Sequence, residues 1–236
     1  MIPLQLIPLP GLPEITPGTT LAPLLIEAAR AAGTPLTGGD CLVVTQKVVS
    51  KAEGRLVRLD PADPDARRHL IEAESVRVLR RRGDLVISET GHGWVCANAG
   101  IDLSNVDEGW AALLPVDADR SARRIRDGVR AGAGVEVAVV ISDTFGRPWR
   151  HGLVDVAIGV AGLAAVVDLR GTGDDRGRPL QVTEVAIADE VASAAELVMG
   201  KARGVPAAIA RGLDPDWLRE GSSASLRRPS GEDLFR

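Results

Sequence analysis

The chain reads as a mixed α/β protein (α/β or α+β), with mixed sheets and helices packed on them. Three observations carry this. Short, continuously apolar runs such as Cys41–Thr45 and Val135–Ser142 suit strands buried on both faces. Longer stretches, Leu21–Ala32 and Val185–Met199 among them, place apolar residues at helical intervals. The two kinds are interleaved without a regular strand–helix–strand alternation. No Gly-x-Gly-x-x-Gly follows a strand and no Gly-Lys-Ser/Thr loop occurs, so Rossmann and P-loop folds are disfavoured.

The elements follow in order. Ile2–Ile7 reads as a first strand, and residues 11–18, with Pro13 and Pro17, as a rigid loop. Leu21–Ala32 is a helix with Thr19 or Thr20 as N-cap. Gly38-Gly39-Asp40 is a turn into the strand Cys41–Thr45. Asp63–Arg82 reads as one helix, with Leu70, Ala73, Val76, Val78 and Leu79 near one stripe. Leu85–Glu89 and Trp94–Ala97 read as a hairpin around Thr90-Gly91-His92-Gly93. Asp119–Arg130 is a helix, followed by the strand Val135–Ser142. Val154–Val160 and Ala164–Leu169 are strands, Val185–Met199 a helix and Pro206–Ala210 a last strand. The tail from Asp214 is polar but ends in Leu234-Phe235, a pair suited to dock on the body or a second subunit.

A chain of 236 residues buries enough surface to fold without a disulfide or metal staple. It is read as a single unit, 1–236, with room for two subdomains. The composition, 45% apolar and 25% charged, is that of a soluble globular protein. A net charge of −4 argues against a nucleic-acid footprint. The longest apolar runs are too short or too Gly-broken to span a bilayer, and no signal-peptide pattern opens the chain, so a cytoplasmic location without membrane contact is expected. Two cysteines, Cys41 and Cys96, make no disulfide framework. Lysine occurs only at 47, 51 and 201 in an otherwise arginine-based sequence. Where arginine is the habit, two lysines four residues apart stand out, because lysine brings a compact point charge.

Three stretches put acids, hydroxyls or cations at the ends of apolar strands. In Asn98–Asn105, Asp102 and Asn105 are hard oxygen ligands of the kind Mg²⁺ or Mn²⁺ takes; the same spacing suits an Asx turn. Ser142–Arg150 follows a buried-type strand, where open α/β sheets bind ligands. There Asp143 and Thr144 offer a carboxylate and a hydroxyl, and Arg147 and Arg150 are candidates for phosphate or carboxylate oxygens; a turn with solvated arginines fits equally. In Val43–Arg55, Lys47 and Lys51 share one helical face and suit one anion or bulk water. Scattered histidines and the absence of a Gly-x-Ser-x-Gly elbow make covalent catalysis the weaker class.

Together these stretches resemble the coenzyme F-420-0:L-glutamate (γ-glutamyl) ligases. The matching residues are 11–15, 43–55, 98–106, 113–117, 139–152, 182–190 and 206–212, in the family's order. The likeness is strongest to the ligase half of two-domain actinobacterial enzymes, whose nitroreductase-like domain would begin about where this sequence stops. The resemblance implies a GTP-dependent ligase that joins L-glutamate to the carboxylate of F-420-0 and extends a γ-linked tail. It implies Mg²⁺ or Mn²⁺, two ions, often with K⁺, and an intertwined homodimer. It places one ion on Asp102 and Asp143 and a second on Thr144, and GTP against Leu12, Pro13, Glu14, Ile15, Gln46, Lys51 and Asn105. The segment Met199–Val205, ligand-bearing in relatives, has no acid here and carries Lys201. Two rival readings are a ligase of the same chemistry with another carboxylate acceptor and a non-catalytic GTP-binding relative.

Overall fold

The computed structural model describes residues 3–234. Ile2 and Phe235, named above in the first strand and the tail, lie outside these residues. In chain order the first elements are β1 (Gln5–Leu9), α1 (Leu21–Ala31), β2 (Cys41–Thr45), α2 (Gln46–Ala52), β3 (Leu56–Arg58) and α3 (Ala66–Ala73). Then come β4 (Ser75–Arg82), β5 (Leu85–Thr90), β6 (Val95–Ala97), β7 (Trp110–Ala112) and α4 (Ala118–Ala133). The last are β8 (Ala138–Arg147), β9 (Arg150–Ala161), β10 (Val167–Asp168), β11 (Glu184–Val185), α5 (Ile187–Met199) and β12 (Ala207–Arg211).

A five-stranded sheet, ordered β1-β12-β2-β8-β9, forms the centre. Its inner strands are apolar on both faces because each face carries helices. Leu42, Val44, Val139, Ile141, Ala207 and Ile209 point into a core shared with α1 and α4. Their sequence neighbours Cys41, Val43, Ala138, Val140, Ala208 and Ala210 point the other way, into a core shared with α5. The period of two along a strand separates these two cores. β2 and β8 run parallel, while the other pairings in this sheet are antiparallel. Asp40, 1% exposed, is gripped at both carboxylate oxygens by Arg211, at 2.7 and 2.8 Å, tying the start of β2 to the end of β12. Such a fork is geometrically specific as well as charge-assisted.

Smaller sheets flank the centre: β4-β5-β6, β3-β7 and β10-β11. Ile71, Val86 and Ala99 form a small core of their own beneath the first of these. Among the described residues, no helix is long and apolar enough to cross a membrane.

Two sequence expectations are corrected. Asp63–Arg82 is not one helix: α3 ends at Ala73 and the chain continues as β4. Arg and Leu favour a helix, but the ladder from Ser75–Arg82 to Leu85–Thr90 overrides that local preference. Ser75 marks the change, its hydroxyl donating to the Ile71 carbonyl at 2.6 Å and meeting the Ser88 hydroxyl at 2.8 Å. The turn offered as one reading of Ser142–Arg150 is confined to its end: β8 runs on and pairs with β9 down to Arg147–Arg150. The strand read at Ala164–Leu169 shrinks to Val167–Asp168.

Gly159 is a close-approach position. A Cβ there would lie 2.5 Å from the backbone carbon and 2.6 Å from the oxygen of Ala118, where α4 crosses β9. Gly159→Ala is expected to destabilise by about 1–3 kcal/mol, the usual range for overpacking. Gly146→Ala, at an open position, should stay within about 0.5 kcal/mol. Urea midpoints of the two variants check this contrast.

Candidate active site

The parallel pair β2–β8 sets the location. Thr45 and Ser142 are register partners, so both strands end at the same edge of the sheet. Strand carboxyl ends are the usual ligand edge of α/β sheets. The chain then leaves in two ways: α2 starts directly at Gln46, while β8 runs on through Asp143 and Thr144. Pro206, whose carbonyl accepts from the Thr45 N–H at 3.0 Å, brings the segment after α5 to that edge. A cavity of about 850 Å³ opens there, bordered also by the loop carrying Leu12–Ile15. Such a volume suits a nucleotide-sized ligand.

Lys47 and Lys51 are one helical turn apart and both line this cavity, yet each has its own acid. Lys51 pairs with Glu14. Lys47 reaches Asp102 Oδ2 at 2.8 Å and the Ser104 hydroxyl at 2.5 Å. Asp102 is held by its backbone, which exchanges hydrogen bonds with Ala112 at 3.0 and 2.8 Å. Its Oδ1 accepts from the Ser104 N–H at 2.7 Å, so the Asx turn is also formed. Burial pushes the Asp102 carboxyl up, but the Lys47 and Ser104 hydrogen bonds outweigh it and hold the group below its usual value.

Asp143 behaves oppositely. Burial first, then the charges of Asp102 and Asp155, push its carboxyl up to about 7 against the Thr144 N–H that lowers it. Among the described residues no lysine or arginine forms an ion pair with it. Nearby Cys96 is pushed up to about 12 by burial and by Asp143, and Cys41 likewise by burial and Asp40, so both thiols stay protonated.

A third group centres on Asp155, directly opposite Thr144 in the β8–β9 ladder and 2% exposed. Its Oδ1 accepts from the Thr144 hydroxyl at 2.7 Å and from Lys201 Nζ at 2.6 Å. Lys201 also hydrogen-bonds Thr144 and lies 3.5 Å from Glu196. Burial and Asp155 raise the Glu196 carboxyl.

Of the sequence candidates, Leu12, Pro13, Glu14, Ile15, Gln46, Lys51, Asp102, Asn105, Asp143 and Thr144 all border this cavity. The Gln46 side chain is buried and committed elsewhere: its amide donates to Ser50 at 2.6 Å and to the Leu113 carbonyl at 2.9 Å. Arg147 and Arg150 do not border the cavity. They sit at the β8–β9 turn, where Arg147 donates to the His151 carbonyl at 2.6 Å. Asp155 and Glu196 were missed from sequence. A lone carboxylate inside the apolar run Leu153–Ala157 was the available signal, since a buried acid must find a partner.

Asp143 offers a cation a half-buried carboxylate with no ion pair among the described residues, beside a second acid, Asp102. Thr144 does not offer the same, because its hydroxyl already serves Asp155 and Lys201. Among the described residues no three His, Cys, Asp or Glu side chains converge as a metal group.

Comparison with known proteins gives one family match and three relatives. Residues 11–212 match the family model described as F420-0:Gamma-glutamyl ligase. The chain is 46% identical over 249 residues to the coenzyme F420:L-glutamate ligase of Methanothermobacter thermautotrophicus, covering 99% of both chains. It is 44% identical to the protein of that name from Methanopyrus kandleri, over 99% of this chain and 98% of that one, and 39% identical to that of Methanocaldococcus jannaschii, over 86% of each.

The raised Asp143 carboxyl has a thermodynamic consequence. Between its ordinary value of 3.8 and about 7 the folded chain binds more protons than the unfolded one. Stability therefore falls as pH rises through that window. Asp143→Asn removes the titration and should exceed the metal-free wild type by about 1–2 kcal/mol at pH 8, a figure reduced for water in the cavity, with no such gain below pH 4. Urea unfolding at the two pH values, with chelator present, measures it.

Proposed function

This chain belongs to the F420-0:gamma-glutamyl ligase family, and on that premise we propose that it is a GTP-dependent enzyme that adds L-glutamate to the carboxylate of coenzyme F420-0 and extends a γ-linked tail. The observation that supports this reading best is the composition of the cavity. It combines two adjacent acids, one of them half-buried and without an ion pair among the described residues, with three lysines, the only lysines of the chain.

A carboxylate resists attack by an amine because oxide is a poor leaving group. In the proposed sequence a carboxylate oxygen of the acceptor attacks the γ-phosphorus of GTP. The bond from that phosphorus to the bridging oxygen breaks, and GDP departs with its electron pair. The glutamate amine then attacks the acyl carbon of the resulting acyl phosphate. Phosphate leaves, and the amine gives up a proton as the amide forms. Steps of this kind need positioning and charge neutralisation more than a protein nucleophile. The protonated cysteines and the lack of a nucleophile elbow accord with that.

Each group has a place in this scheme. Lys51 carries its ammonium into the cavity beside Leu12–Ile15 and suits a nucleotide phosphate, exchanging Glu14 for it. Asn105, in a left-handed conformation (φ 54°), turns the loop around the same space. Asp102 and Asp143 would hold a Mg²⁺ or Mn²⁺ ion, which supplies positive charge to phosphate oxygens when bound. Gln46 supports α2 from below through Ser50 and Leu113 instead of meeting the nucleotide. Arg147 and Arg150 lie outside this cavity, at the β8–β9 turn.

Incubation of the chain with F420-0, L-glutamate, GTP and Mg²⁺ should yield glutamylated coenzyme and GDP in equal amounts for each bond formed. Mass spectrometry reads both, and GDP release without any mass gain on F420-0 would overturn the acceptor. Lys51→Ala should weaken GTP binding roughly ten- to hundredfold, the loss expected for about 1.5–3 kcal/mol of charge-assisted contact. Calorimetric titration reads that change directly.

A further inference from the structure

Lys201 stands where the family resemblance leads one to expect a metal ion. The helix α5 ends at Met199, and Gly200 takes φ 62°, a conformation that favours glycine and turns the chain back towards the sheet edge. Lys201 follows at once. Its Nζ lies 2.6 Å from Asp155 Oδ1 and 3.5 Å from Glu196 Oε1, and it hydrogen-bonds the Thr144 hydroxyl. An ammonium group has three donors and here meets three oxygens from two strands and a helix. Asp155 is 2% exposed, so its charge needs a cation in any state of the protein. Thr144 Oγ1 is shared between that carboxylate and that ammonium, which leaves no room for a divalent ion needing several oxygen ligands of its own. A divalent ion beside the ammonium would also set like charges together in a partly enclosed site.

We infer that Lys201 is the resident cation of the Thr144–Asp155–Glu196 cluster, and that the chain binds one divalent ion, at Asp102 and Asp143, instead of two. This rests on the ligase reading for the first ion. It departs from that reading at the second, whose task of facing phosphate oxygens passes to an ammonium on a long stem. That stem is half exposed, with 54% of the Lys201 side chain accessible, and can follow a phosphate without leaving the cavity.

Metal counting tests this without any turnover. The full chain is dialysed to equilibrium against Mn²⁺ in the absence of nucleotide, and bound manganese per chain is measured by atomic emission. About one ion is expected for the wild type and for Lys201→Arg. Lys201→Ala, which uncovers the three oxygens, should rise to about two. Circular dichroism and a thermal melt confirm that the variant is folded, and the wild-type count is decisive by itself if it is not. Two ions in the wild type overturn the inference and leave the ligase reading standing. A count that stays at one in folded Lys201→Ala also overturns it, since Lys201 would then not be what excludes the second ion. No bound manganese in the wild type overturns it together with the assignment of Asp102 and Asp143 as metal ligands.

Discussion

β2 and β8 run side by side in the same direction, with Thr45 opposite Ser142, in a sheet whose other pairings are antiparallel. Parallel neighbours end at the same edge, so two chain segments leave the sheet together at its centre. One bends at once into α2 and carries Lys47 and Lys51. The other stays extended and carries Asp143 and Thr144 into the β8–β9 ladder. The antiparallel entry of β12 brings the end of α5 and Lys201 to the same place. A change of register by one residue would turn Asp143 away from the cavity and Thr144 away from Asp155, because successive side chains in a strand face opposite sides.

The charges at this edge divide into pairs with different partners. Glu14 has Lys51, Asp102 has Lys47, and Asp155 has Lys201. Asp143 alone among these acids has no ammonium and is pushed upward by the others. Glu196 shares Lys201 with Asp155, so the five acids of the cavity outnumber its three lysines by two. An incoming polyanion with its counter-ion would find Lys47 and Lys51 able to exchange carboxylates for phosphates, Lys201 half exposed on Asp155, and one acid ready for a metal. That division follows from backbone placement: the bridge of Asp102 to Ala112, the ladder partnership of Thr144 with Asp155, and the glycine turn after Met199.

What the sequence disclosed depended on whether a signal was local. Cys41–Thr45 was legible residue for residue because burial on both faces leaves an uninterrupted apolar run. Asp63–Arg82 was not, because the switch from α3 to β4 depends on a partner strand, β5, and not on the Arg-rich segment itself. The site shows the same divide. Asp102, Asp143 and the α2 lysines stood out as candidates at the ends of apolar runs, and the fold brings them to one cavity. Asp155 was hidden within such a run, and its importance appears only when the ladder sets it across from Thr144. Arg147 and Arg150 are close to Asp143 in sequence, but an extended chain carries them away from it, about 3.3 Å for each residue, and they do not border the cavity.

The edge strand β1, residues Gln5–Leu9, has β12 as its sheet neighbour, and β12 lies at Ala207–Arg211. A ribosome therefore releases the first strand about two hundred residues before its partner exists. Until then β1 has no ladder and the β2 edge of the β2-β8-β9 strands lacks its neighbour, so the central sheet is completed late. Long-range pairing of this kind slows folding and leaves strand edges open meanwhile. Pro8 within β1 removes one backbone donor from that waiting edge, which limits its pairing with foreign strands. The last strand of the sheet to be synthesised is thus the one that admits the first, and it arrives just after Lys201, so the cavity and the sheet are completed together.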